Sequence, residues 1–161
     1  MKNRIVTISR EFGSGGRTIG KMVAERLNIP CYDQELVEKI AEQSGFTKEF
    51  IQEKGEYTAH GNWFFNAFSD RSAKGMSTQD YLWTVQRKTI LELAEQGPCV
   101  IVGRCADYIL KDAADCLKVF IHADLDKRAE RIVRLYGETE EAPLKRLKDK
   151  DKRRATYYRF Y

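Results

Sequence analysis

No stretch of the 161 residues approaches the roughly 18 consecutive apolar residues that a membrane-spanning helix needs. The opening Met1-Lys2-Asn3-Arg4 leads into a short β-branched run, too brief for the apolar region of a secretory signal. Proline is scarce, with three residues, and histidine scarcer, with two; His122 reads as a packed side chain and His60 as loop surface. The four cysteines (Cys31, Cys99, Cys105 and Cys116) have no C-x-x-C spacing. Zinc and a disulfide framework are therefore not expected, and the thiols read as buried and reduced, in a cytoplasmic protein. No internal repeat or low-complexity tract occurs. With 42% hydrophobic and 32% charged residues, disorder and collagen-like structure are excluded. The length predicts one domain, residues 1–161, with one core.

The net charge of +4 is unevenly spread. Residues 144–161 carry eight Lys or Arg against two Asp, a local +6 that leaves residues 1–143 at −2. A basic end on a slightly acidic body points to one anionic ligand more than to a surface that coats nucleic acid. A nucleic-acid reading would rest on this segment alone, with Tyr157, Tyr158 and Tyr161 as its aromatics.

The chain alternates strand-like and helix-like stretches, the pattern of a parallel sheet with crossover helices. Strands are predicted at Arg4–Ser9, Pro30–Tyr32, Cys99–Val102 and Leu117–Ile121. Helices are predicted with inward residues Ile19, Met22, Val23 and Leu27; with Leu36, Val37, Ile40 and Ala41, stopping near Gly45; and over Phe46–Glu53. Further helices are expected from Thr78, as N-cap, to Gln96, over Ala106–Leu110, after Asp124 with Ala129, Ile132 and Val133 inward, and from Pro143. Residues 55–77 hold Trp63, Phe64, Phe65 and Phe68 in a long loop. The aromatics suit a satellite core, a flap over a base, or an oligomer contact.

The strongest local signal is a strand, a glycine loop and a helix at the N-terminus. Glycines let the backbone turn its N–H groups inward, and the following helix aims the positive end of its dipole at the same spot, which suits phosphate. The literal match Gly15-x-x-x-x-Gly20-Lys21 fails, because Ile19, Met22 and Val23 already follow helical spacing and place Gly20 inside the helix. The better frame puts the loop at Arg10–Gly16 and Thr18 in the first helical turn, within reach of magnesium or phosphate. In that frame Gly16 stands where a phosphate-loop lysine would, and Arg17 is the nearest cation. Arg104 directly follows an apolar central strand, where ligands of parallel sheets bind. An ion pair with a core carboxylate is the bland alternative for it. A solvated face is the bland alternative for the basic helix.

Gly103-Arg104-x-x-Asp107, Lys111-Asp112-Ala113, Leu117-Lys-Val-Phe-Ile-His-Ala123 and Arg128-Ala129-Glu130-Arg131 together resemble the second half of bacterial cytidylate kinases. Ile8-Ser-Arg-Glu-Phe-Gly-Ser-Gly-Gly-Arg-Thr18, with Tyr32-Asp33, is similar to the cytidylate kinase-like branch of that superfamily, and the likeness spans nearly the whole chain. The resemblance implies a nucleoside monophosphate kinase on the α/β P-loop NTPase-type three-layer fold. Its parallel sheet would be flanked by helices, with a monophosphate-binding segment at 34–96 and a lid with the basic helix at 137–161. ATP would be the donor, Mg²⁺ the cofactor and CMP or dCMP the acceptor. Gly13, Ser14, Gly15, Gly16, Arg17 and Thr18 would cradle the donor's β-phosphate, with Thr18 on the metal. Asp33, Lys39, Arg104 and Lys152 would bind the acceptor. Arg17, Arg104, Arg153 and Arg154 would carry the transfer, with Arg159 a further candidate, while Cys105 stands where the family has an Asp. Such kinases have a fifth strand, so a C-terminal strand is expected to be missing here.

Phosphoryl transfer asks for alignment and charge neutralisation more than covalent chemistry, which suits converging guanidinium groups. The alternative is a nucleotide-binding regulator that keeps the fold with little or no turnover, which the missing lysine favours. The oligomeric state is not readable from the sequence.

Overall fold

A computed structural model describes residues 4–54, 77–137 and 141–160. The aromatic segment around Trp63 falls outside the described residues. Eleven elements follow in chain order among these residues: β1 (Arg4–Arg10), α1 (Gly16–Leu27), β2 (Cys31–Tyr32), α2 (Gln34–Ser44), α3 (Lys48–Lys54), α4 (Thr78–Gln96), β3 (Cys99–Val102), α5 (Ala106–Ile109), β4 (Asp115–Ile121), α6 (Leu125–Tyr136) and α7 (Pro143–Phe160). The four strands form one parallel sheet in the order β2-β3-β1-β4.

Cys99–Val102, apolar throughout and buried throughout, lies inside the sheet as such runs do in parallel sheets. One face, carrying Ile5, Cys99 and Ile101, packs against Leu36, Val37 and Ile40 of α2, Ile51 of α3 and Leu82, Ile90 and Leu93 of α4. The other, carrying Ile8, Val100 and Val102, packs against Ala24 of α1. Helices on both faces make the three-layer sandwich. At the sheet's edge, β4 leaves Leu117 and Phe120 more than 60% exposed.

Three expectations change. Helix α1 turns Gly16, Gly20 and Ala24 to the sheet and leaves Ile19, Met22 and Leu27 exposed. The reason is proximity: a Cβ on Gly20 would lie 2.9 Å from Val102 Cγ2, so only small residues fit between helix and strand. Ser77 rather than Thr78 caps α4, its hydroxyl accepting the Asp80 N–H at 3.1 Å. His122 is exposed, not packed. The cysteines are free, Cys99 and Cys105 buried and Cys31 and Cys116 half-buried. Burial pushes the Cys31 thiol up to about 11 and the Cys99 thiol to about 12, which marks them as inert packing groups.

Candidate functional site

Strand β1 delivers the chain to a loop at the carboxyl end of the sheet. The Ser14 hydroxyl donates back to the Glu11 carbonyl at 3.0 Å, and Gly13 and Gly15 take left-handed conformations, φ +79° and +91°. Gly15 caps α1 without a side-chain hydrogen bond, and the first turn holds no acidic residue. The first N–H groups of α1 therefore point at the loop mouth with the dipole's positive end behind them, an arrangement that suits an anion.

Gly16 has a steric reason to be glycine. A Cβ there would sit 2.7 Å from Arg10 Cβ and 2.8 Å from Arg10 Cγ. The buried Arg10 stem fills the space that a side chain at position 16 would need to leave the backbone. The absence of the loop lysine and the presence of Arg10 are one feature.

The cation over the loop comes from α6. Arg131 Nη2 donates to Thr18 Oγ1 at 3.1 Å, and its guanidinium carbon lies 3.5 Å from where a Gly15 Cβ would be. Arg154 of α7 donates from Nη1 to the Arg10 carbonyl at 3.3 Å and lies over the Phe12 ring. Arg17, expected on the donor phosphates, lines the cleft of the loop and pairs with Asp33, Nε to Oδ2 at 2.9 Å. Gly13, Gly15, Gly16, Arg17, Thr18, Arg131 and Arg154 line a cleft of about 130 Å³.

Beneath the loop, buried Arg128 donates to the Phe12 carbonyl at 3.1 Å, to Asp151 Oδ2 at 2.6 Å and to the Ala123 carbonyl at 3.1 Å, with Glu11 Oε2 3.3 Å away. Asp151 also accepts the Phe12 N–H at 2.6 Å. This network fastens α7 to the glycine loop, and two carboxylates offset the buried charge. Glu11 is thereby held by Arg128 and the Ala123 N–H.

On the other side, Gly103, Arg104 and Cys105 are consecutively left-handed, φ +76°, +60° and +54°. Arg104 is 6% exposed and donates from Nη1 to the Ile51 carbonyl at 2.9 Å, which anchors its guanidinium to the backbone of α3. Arg104 also lines a second cavity of about 550 Å³ with Asp107, Tyr158 and Arg159. Tyr158 donates to Asp107 Oδ2 at 2.8 Å, and that hydrogen bond, with burial, pushes the phenol up to about 12. Arg10, Glu11 and Arg154 line both cavities, so the loop cleft and the cavity at the end of β3 are neighbours.

The remaining expected residues are more dispersed. Ser14 turns back on Glu11 and faces an adjoining hollow beside Arg128. Asp33 is buried at the start of α2 and joins the loop through Arg17. Lys39 is half-buried on α2, Lys152 is exposed, and neither lines the two cavities. Arg153 is half-buried, with a buried Nε that has no hydrogen-bond partner among the described residues. Sequence reasoning missed Arg10 and Arg131. The Arg128-Ala129-Glu130-Arg131 motif was the available signal for Arg131, since one helical turn after Arg128 it faces the same loop.

Among the described residues no three His, Cys, Asp or Glu gather as a metal cage. Magnesium at phosphate sites takes only one or two protein oxygens, the rest coming from phosphate and water. The Thr18 hydroxyl in the first turn of α1 is an oxygen of that kind, and because it accepts from Arg131 Nη2 at 3.1 Å, a metal bound there would displace that hydrogen bond.

Comparison with known proteins bears on the family and the fold. The model of the cytidylate kinase-like family matches residues 5–161. A cytidylate kinase of Pyrococcus horikoshii is 28% identical over 159 residues, covering 98% of this chain and 71% of the relative. One from Archaeoglobus fulgidus is 29% identical over 160 residues, covering 97% and 76%. A solved, uncharacterised protein from Eubacterium ventriosum is 30% identical with a TM-score of 0.68, covering 98% and 76%. The shikimate kinase of Bacteroides thetaiotaomicron shares the fold, with a TM-score of 0.55 at 20% identity, covering 99% and 83%. The fold is that of the P-loop kinases.

Proposed function

The chain belongs to the cytidylate kinase-like family, and from that premise we propose that it transfers the γ-phosphoryl group of ATP to a pyrimidine monophosphate, CMP or dCMP. The observation that carries the reading is the convergence of Arg131 and Arg154 on a glycine loop, with Arg104 lining the neighbouring cavity. Backbone N–H groups of residues 13–18 bind the donor's β-phosphate. Arg131 supplies the positive charge that Gly16 does not, and Arg154 adds to it from α7. Thr18 would hold a magnesium ion, which would offset charge on the donor's phosphates.

Arg104 holds the acceptor's phosphate at the end of β3, and Arg17 orients Asp33 toward the acceptor's sugar or base. Lys39, Lys152 and Arg153 contribute to this binding once both nucleotides are present. Because the acceptor phosphate is ionised at pH 7, it needs no general base. The residues' work is to align two anions and neutralise their charge.

Gly16 in the lysine's place favours a second reading, a nucleotide-binding regulator with little or no turnover. A coupled ADP-release assay over a panel of nucleoside monophosphates decides between them. Turnover highest with CMP or dCMP supports the kinase. Intact nucleotide binding by thermal shift with no turnover on any monophosphate selects the regulator.

A further inference from the structure

We propose that Gln86 is a positioning residue that couples the conformation of Arg104 to the docking of α7. Gln86 lies in the middle of α4 with 0% exposure. A buried amide is retained in a core only where it is hydrogen-bonded to some purpose. Here Nε2 donates to two separate elements, the Arg104 carbonyl at 3.1 Å and the Tyr157 hydroxyl at 3.3 Å. The opposite atom, Oε1, is buried and has no hydrogen-bond partner among the described residues. The orientation is fixed nonetheless, since reversing the amide would set one carbonyl oxygen against another at Arg104.

Both ends of this bridge matter to the site. Arg104 sits between Gly103 and Cys105 in a run of three left-handed residues, which non-glycine side chains hold only where the surroundings enforce it. Its carbonyl is fastened to α4 by Gln86 and its guanidinium to α3 through Ile51. Tyr157 is 3% exposed and packs edge-on against Trp83, whose ring centroid lies 6.3 Å away. On α7 it is one turn beyond Arg154, which reaches the glycine loop. One amide thus ties the acceptor-side arginine to the helix carrying a donor-side cation. Arg104 and Arg154 then take up position together.

The inference rests on the reading of Arg104 as the acceptor cation, so its test has one arm independent of turnover. Gln86→Met keeps length and volume while removing both N–H donors. In full-length protein, amide hydrogen exchange should quicken by about 10-fold both at Gly103–Ala106 and along α7, with α1 and β1 unchanged. Tyr157→Phe should quicken both segments less, and adding it to Gln86→Met should change nothing further. In the kinase assay, Gln86→Met should lower kcat and raise the KM for both CMP and ATP, since it releases Arg104 and the helix carrying Arg154 together. Exchange altered in one segment alone, multiplicative effects in the double variant, or a loss confined to one nucleotide would overturn the proposal. If Gln86→Met does not fold, Tyr157→Phe decides it: unchanged exchange at Gly103–Ala106 refutes the coupling. If the unmodified protein transfers phosphate to no monophosphate, the kinase reading fails while the exchange arm still gives its answer.

Discussion

Arg17 and Asp33 form an ion pair, Nε to Oδ2 at 2.9 Å, that draws the loop's own arginine away from the glycines and toward the end of β2. Asp33 is 8% exposed, so its carboxylate is committed to this contact, while Arg17 remains half-exposed. Arg131 is left as the cation beside Thr18 and Gly15. The two arginines should therefore fail differently.

Arg131→Ala should lower kcat by about 10²- to 10³-fold, the loss seen when one preorganised donor to developing charge is removed. Arg131→Lys should recover only part of it, since an ammonium lacks the fork. Arg17→Ala should act mainly on the KM for the monophosphate, by freeing Asp33. Steady-state kinetics with each nucleotide varied in turn will separate the two. An Arg17→Ala variant that loses ATP affinity instead would place the loop cation back at position 17.

The Arg128 network predicts a stability effect of another size. Arg128→Ala leaves Glu11 and Asp151 without their shared buried cation and should cost about 3–5 kcal/mol. Asp151→Asn keeps the shape and one hydrogen bond, and should cost only about 1–2 kcal/mol. Urea denaturation of both variants checks the order. Equal losses would mean that α7 is not fastened to the loop through this pair.

Much of this architecture could be read from the sequence, because alternating periodicity, Gly97-Pro98 and the apolar run Cys99–Val102 are local signals. Helix α1 shows where local reading fails. Its apolar spacing identified a helix but not the buried face, because a stripe of Gly16, Gly20 and Ala24 lets the backbone approach the sheet more closely than any larger residue would. Side-chain destinations were equally hidden. Arg17 looked close to the phosphates because it is close in sequence, whereas Arg131 is 113 residues from the hydroxyl it touches. The Arg10–Gly16 exclusion is also a contact across the loop, visible only once the strand and helix ends are brought together.

Tyr158 gives a prediction in pH. Its hydrogen bond to Asp107, with burial, raises the phenol from its ordinary value of 10 to about 12. The neutral form is the one favoured in the fold, so the contribution is fully present below pH 10 and is lost as pH rises from 10 to 12. An absorbance titration at the tyrosinate band should show Tyr158 ionising late alongside Tyr32, whose phenol is also raised by burial, and Tyr158→Phe should reduce that late component. Asp107→Asn should bring it back toward 10. A late component undiminished in Tyr158→Phe would assign the shift to other tyrosines.

The Arg10 stem and the missing Gly16 side chain make the last prediction. Restoring a loop lysine by Gly16→Lys alone should not raise turnover, because Cβ would meet Arg10 Cβ at 2.7 Å and both atoms are anchored to backbone. The strain should instead destabilise the fold by about 1–3 kcal/mol, the usual cost of overpacking. Arg10→Gly with Gly16→Lys removes the obstruction and should recover much of that loss. The two substitutions should therefore be strongly non-additive, as contacting residues are. Melting temperatures of the two singles and the double close the cycle. Additive effects would show that position 16 is glycine for some reason other than Arg10, and a Gly16→Lys variant with wild-type stability would remove the steric explanation altogether.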